Sequence, residues 1–203
     1  MPRLFLATSN SHKTNEVAAI LGPKWQVEDM LAHPGMTLPE ETGDTFEANA
    51  VIKAQGASAS LPGAWVLADD SGLEVDVLAG APGVQSARYA GPGANDAENR
   101  TKLKNEMRAL AANPGQSFPG RFHCCMALVR DGKLLHVTHG TVEGKLLLRE
   151  QGTGGFGYDP LFVPQGHKES FGVLPEAVKN SLSHRAAALA QMREWLDAHV
   201  HDA

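Results

Sequence analysis

The stretch VLADDSGLEVD, Val66 to Asp76, carries an apolar run straight into two adjacent carboxylates, Asp69 and Asp70, followed by Ser71 and Gly72. The apolar lead-in reads as a buried strand. Successive strand side chains point to opposite faces, so Asp69 and Asp70 need not share an environment. If the strand ends at a cleft, such carboxylates can hold a divalent cation or polarise a water. They equally suit a polar turn in which Asp and Ser bond nearby backbone N–H groups and Gly72 takes an unusual dihedral.

Elements on either side extend the pattern. Arg3 to Thr8 is short, apolar and bounded by Pro2 and a Ser/Asn cluster, as a buried strand should be. SHKTNEVAAILGP, Ser11 to Pro23, places Val17, Ile20 and Leu21 at helical spacing and stops at Gly22-Pro23. DTFEANAVIKAQGASAS, Asp44 to Ser60, sets Glu47 three residues after Asp44, a capping-box-like start, with Phe46, Ala50, Ala54 and Ala57 on one face. A largely exposed helix follows from Asn95, then two strands around Asp131-Gly132, the strongest hairpin signal in the chain. The last third offers a glycine-rich loop, a short strand at Leu161 to Val163, and a terminal helix carrying Leu189, Met192 and Leu196. Strands alternating with helices, plus one hairpin, imply an α/β fold: a central mixed β-sheet with flanking helices, in one domain over residues 1–203 with two lobes around a cleft.

The 203 residues carry a formal net charge of −5. No whole-molecule basic field exists to draw in nucleic acid or a membrane, so an anionic ligand must be held by a local group of cations. The only cysteines, Cys124 and Cys125, are neighbours, a poor basis for a loop-closing disulfide. The cysteine pair gives no metal-ligand spacing and the nine histidines form no H-E-x-x-H or Cys/His set, so zinc is not expected from the sequence. No signal-like h-region or membrane-length apolar run is visible, and the chain reads as cytoplasmic.

Four further groups bear on chemistry. ATSNSHK, Ala7 to Lys13, passes from strand to helix with Thr8, Ser9, Asn10, Ser11 and His12 beside Lys13. N–H groups at a helix start suit a phosphate, although a simple cap by Ser9, Asn10 or Ser11 is the commoner outcome. A lysine so early in a helix opposes the macrodipole unless an anion compensates. Lys53 lies about 20° around the helix axis from Phe46 and borders the buried stripe, where it either snorkels to water or meets the loop carboxylates Glu40 and Glu41. Those carboxylates suit Mg²⁺ or simple solvation.

GTGGFGYDP, Gly152 to Pro160, formally contains G-x-G-x-x-G but leads into a strand rather than a helix, which rejects a dinucleotide site. It reads instead as a glycine-dense loop presenting Phe156 and Tyr158 for stacking, or as a flexible surface loop. Finally, Ser183 is placed as the N-cap of the last helix, with His184 and Arg185 in its first turn; either this is an accident of capping or, with Lys179, they make the required basic cluster aimed at an anion or a carbonyl.

In chain order, TSNSHK (8–13), EETGDTFEANAVIKA (40–54), LADDSGLEVDVLAGAPGVQSARYAG (67–91), GTGGFGYDPLF (152–162) and SHRAAAL (183–189) resemble the inosine/xanthosine triphosphate pyrophosphatases. The resemblance covers nearly the whole chain. It implies an elongated α/β homodimer that uses Mg²⁺ to hydrolyse ITP, dITP and XTP to the monophosphate and pyrophosphate. It further implies that Thr8 to Lys13 hold phosphates, that Asp70 accepts a proton and binds metal, and that Ser71 touches substrate. Phe156, Gly157, Tyr158, Asp159, Lys179, His184 and Arg185 would hold the nucleoside. Where relatives read TFEENA or TFxENA, this chain has TFEANA, so Ala48 replaces a glutamate and metal ligation is expected from Glu41, then Glu40, with Asp70 and Asp69. A Maf-type pyrophosphatase begins with a different, arginine-rich motif, and a nucleotide sensor without turnover has little use for so many carboxylates.

Overall fold

The structure, a computed structural model, describes residues 1–200. Among the described residues six strands form one mixed sheet: β1 (Arg3–Leu6), β2 (Gln26–Asp29), β3 (Trp65–Val75), β4 (Phe118–Arg130), β5 (Lys133–Leu146) and β6 (Phe162–Pro164), in the order β2-β1-β3-β4-β5-β6. β1 runs parallel to both β2 and β3, pairing Phe5 with Glu28 on one side and with Val66 on the other. β5 and β6 are antiparallel. The α-helices of the described residues are α1 (Ser11–Leu21), α2 (Phe46–Ala59), α3 (Asp96–Leu110), α4 (Glu176–Leu182) and α5 (His184–His199).

Local chemistry accounts for most boundaries. Asn10 caps α1, accepting from the His12 and Lys13 amides, and Gly22, at φ 73°, follows its last turn. α3 opens on a full capping box, with the Asn95 side chain on the Glu98 N–H and the Glu98 carboxylate on the Asn95 N–H. Asp131 and Gly132 both take positive φ between β4 and β5, as a tight hairpin between consecutive strands requires. α2 differs from the expected box: its cap is Thr45, which accepts from Ala48 N–H. The third helical residue is therefore Ala48 rather than Glu47, and a methyl cannot reach back to the cap.

The opening stretch departs from expectation in a way that matters for chemistry. β3 does not end at Asp69-Asp70 but continues through Ser71 and Gly72 to Val75. The carboxylates therefore sit in mid-strand, where each face can supply its own partners. β2 and α4 were not visible in the sequence pattern. β2 is only four residues long, QVED, and α4 only seven.

Cα proximity divides the described residues into two compact units, one of residues 1–70, 124–140 and 185–200, the other of 71–123 and 141–184. Each has its own apolar core. In the first, Leu4, Leu6 and Leu67 from the sheet pack with Val17 and Leu21 of α1 and with Leu189, Met192 and Leu196 of α5. In the second, Leu73, Val75 and Phe122 pack with Leu103 and Met107 of α3 and with Tyr158, Phe162 and Phe171. Among the described residues no helix is long and apolar enough to cross a membrane.

Candidate active site

Asp69 and Asp70, one residue apart on β3, face different partners in the first unit. Lys13 Nζ donates to Asp69 Oδ2 at 2.8 Å, and Arg185 Nε lies 3.5 Å from the same oxygen. Arg185 Nη1 also bonds Glu16 Oε2 at 2.5 Å. Asp70 instead accepts from Asn49 Nδ2 at 3.2 Å and from Lys53 Nζ at 3.4 Å, and Lys53 Nζ stands 3.1 Å from Glu41 Oε1. The alternation of a strand separates the two sets, and α2 delivers Asn49 and Lys53 from one face by their i, i+4 spacing.

Electrostatics drives the two carboxyls apart. Burial would raise Asp69, but Lys13, Arg185 and Lys53 overcome it and hold that group well below the usual carboxylate range. For Asp70 burial wins, reinforced by Glu41 and Asp69 against the opposing pull of Lys53 and the Asn49 hydrogen bond, and its pKa is raised. Burial disfavours the Lys53 cation, yet Asp69, Asp70 and Glu41 together raise it. Asp69 is thus a fixed anion holding two cations, whereas Asp70 is the more basic carboxylate. Paired groups with such divergent environments mark sites of proton transfer.

The loop before α2 is held tightly to it. Gly43 N–H donates to Asn49 Oδ1 at 2.8 Å, while a Cβ on Gly43 would come within 2.7 Å of both Asn49 Oδ1 and the Ala48 methyl. Only glycine allows that approach, which sets Glu41 beside Lys53. Glu40 is exposed at the surface. Two carboxylates converging on one ammonium form a hard-oxygen pair of the kind Mg²⁺ uses.

At the start of α1 the two readings of TSNSHK divide. Asn10 is the cap, its own N–H bonded to Thr8 Oγ1 at 3.1 Å, while Ser9, Ser11 and His12 are exposed. The anion that compensates Lys13 in this structure is Asp69.

In the second unit the glycine loop is anchored rather than loose. Arg100 Nη1 donates to Gly157 O at 2.8 Å, and Gly157 N–H donates to Asp96 at 2.7 Å. Asp159 accepts from Phe156 N–H at 2.8 Å and from Lys179 Nζ at 2.5 Å. Gly155, at φ 72°, sits where a Cβ would strike that carboxylate. Lys179 Nζ also lies 4.3 Å above the half-buried Phe156 ring, so a cation and an aromatic face are fixed together. Tyr158 is not presented for stacking: its ring is buried, and its hydroxyl donates to Ser86 O at 2.8 Å.

The expected basic cluster is not a set of unopposed cations. Lys179 belongs to Asp159, His184 is buried and stacked on Phe122 with centroids 4.9 Å apart, and Arg185 has only 1% of its side chain exposed against Glu16 and Asp69. A desolvated guanidinium needs such partners, so the structure places Arg185 behind Asp69. Ser183 immediately precedes α5, and Ser71 follows Asp70 along β3. Asn49, Glu16, Asp96 and Arg100 were missed as supporting residues. Asn49 alone carried a signal, four residues before Lys53 on one helix.

A mixed six-stranded sheet with flanking helices and a buried carboxylate-lysine constellation on its third strand defines an α/β protein of one recognisable architecture. The Ham1 family model matches residues 4–195, and the chain belongs to that family. It is 42% identical over 198 residues to a dITP/XTP pyrophosphatase of Halalkalibacterium halodurans, covering 97% of this chain and all of that one. Another dITP/XTP pyrophosphatase, from Desulforamulus reducens, is 44% identical over 96% of each chain. The solved Ham1 protein of Coxiella burnetii superposes with a TM-score of 0.85 at 38% identity, covering 98% of this chain and 100% of that one.

Proposed function

We propose that this chain is a Mg²⁺-dependent pyrophosphatase that hydrolyses ITP, dITP and XTP to the nucleoside monophosphate and pyrophosphate, working as a cytoplasmic homodimer. Family membership and the named relatives support the reaction class, while the dimer is what the sequence resemblance implies and the cytoplasmic setting is the reading of the sequence itself. The observation that carries the chemistry is the raised Asp70 carboxylate, held by Asn49 and Lys53 beside Glu41.

Asp70 is suited to accept the proton of a water attacking phosphorus, because a more basic carboxylate takes it more readily at neutral pH. Asn49 and Lys53 fix its two oxygens, so the accepting lone pair is oriented before substrate arrives. Mg²⁺, held by Glu41 and Asp70, would offset phosphate charge and polarise the water. Lys13 answers the triphosphate by exchanging its bond to Asp69 for one to phosphate.

In the second unit, Phe156 and Lys179 suit a purine ring bearing a 6-oxo group. An ammonium offers three donors and no acceptor, and Asp159 takes one of them. A ring carbonyl can accept another, whereas the adenine amino group brings a second donor. That mismatch costs about 1–3 kcal/mol.

Initial rates of pyrophosphate release from ITP, XTP and ATP, with Mg²⁺ and with EDTA, test the reading. Fast release from ITP and XTP, slow release from ATP and none in EDTA are expected. Tight ITP binding with no product would make the chain a nucleotide sensor instead.

A further inference from the structure

Cys124 and Cys125 are adjacent on β4 and therefore face opposite ways. Cys124 lies in the first unit's apolar core, whereas Cys125 meets Glu47 from the first turn of α2 and His139 from β5. One ligand atom of each of the three residues lies within 4.8 Å of those of the other two. His139 Nε2 and Glu47 Oε2 are 3.2 Å apart. Around a tetrahedral ion with ordinary Zn–N and Zn–O bonds, that edge would be about 3.3 Å, and the edges to sulfur slightly longer.

We propose that Glu47, Cys125 and His139 form a binding site for a zinc-class divalent cation, separate in chemistry from the hard-oxygen pair of Glu41 and Asp70. The thiol, imidazole and carboxylate set selects softer ions over Mg²⁺. With three protein ligands, a water completes the tetrahedron. The burial pattern suits entry and retention: Cys125 is buried, whereas the Glu47 and His139 side chains are 54% and 48% exposed and open to solvent.

Binding breaks the Cys125 S–H bond, forms a thiolate–metal bond and passes one proton to buffer, with no change of oxidation state. Burial, then Glu47, Asp70 and Asp69, push the metal-free thiol up to about 12. The same carboxylates that oppose a thiolate attract a dication. Spacing of 47, 125 and 139 hides the set from sequence inspection, because three separate elements deliver its members.

Co²⁺ serves as the probe, titrated into the full-length protein in Mg²⁺-containing buffer. A thiolate-to-cobalt charge-transfer absorption that saturates at one ion per chain and is displaced by Zn²⁺ is expected. Cys125→Ser abolishes it, Cys124→Ser and Asp70→Asn retain it, and His139→Ala and Glu47→Gln each weaken Co²⁺ binding at least tenfold, since even outer-shell partners of a metal site are worth about 10- to 100-fold. Absence of the band, its survival in Cys125→Ser or its loss in Asp70→Asn or Cys124→Ser overturns the assignment. So does unchanged affinity in His139→Ala and Glu47→Gln, which are surface substitutions that keep the test decisive if a cysteine variant does not fold.

Discussion

Lys53 Nζ stands 3.4 Å from Asp70 Oδ1, and both side chains are almost wholly removed from solvent. An ammonium so placed lowers the pKa of its carboxylate partner, partly offsetting the burial and the Glu41 charge that raise it. Lys53→Met is therefore expected to raise the acid limb of the kcat/KM profile by about 1 to 3 pH units, the usual effect of an opposite charge at this range. An unmoved limb would show that Asp70 does not govern it.

Asp69 has a structural task that its neighbour lacks. It holds Lys13 and Arg185, and Asp69→Asn leaves those cations short of a partner, at a cost of about 3–5 kcal/mol for a broken buried pair. That corresponds to a fall in Tm of about 6–20 °C for a chain of this size. The pH sign follows from the lowered folded-state pKa. Its contribution is present above the unfolded value of about 3.9 and is lost as pH falls through the folded one. Thermal melts of both proteins from neutral pH into acid should converge; a gap that widens in acid contradicts the pairing.

Phe156 and Tyr158 are two residues apart in one loop but act differently. Phe156→Ala should raise KM for ITP with little loss of stability, because the ring is half-buried beside Lys179 and, on the proposed function, would meet the substrate. Tyr158→Phe should leave KM unchanged and cost about 1–3 kcal/mol, since it strands the buried Ser86 carbonyl. Reversed effects would exchange their roles. KM values and denaturant midpoints for the two variants decide it.

Lys13→Ala should weaken ITP far more than inosine, because on the proposed function its charge would act on phosphate. Calorimetry with both ligands checks this, and equal losses would remove Lys13 from phosphate binding.

Much of this was legible in residue order, for identifiable reasons. The hairpin at Asp131-Gly132, the stop at Gly22 and the apolar stripe of α5 each depend on local chemistry that a few residues carry. Asp69-Asp70 could be read as facing opposite ways from strand alternation alone. That β3 runs on through Ser71 and Gly72 could not be, because Asp, Ser and Gly have turn chemistry and only pairing with neighbouring strands overrides it. Likewise, cations at 13, 53, 179 and 185 and carboxylates at 69, 70 and 159 were visible, but which cation each carboxylate would hold, and the part of Glu16, were not. The resemblance assigned Arg185 to the nucleoside; the fold buries it against Glu16 and Asp69, 169 residues from the former in sequence.

The most direct test of the account is the turnover of Asp70→Asn on ITP with Mg²⁺, measured as pyrophosphate released per enzyme alongside nucleotide binding and a thermal melt. The amide keeps the shape and the contact with Lys53 but removes the proton acceptor, so the variant should fold and bind ITP while kcat falls by orders of magnitude. A folded Asp70→Asn protein with near-normal kcat would contradict the central claim that this carboxylate is the base.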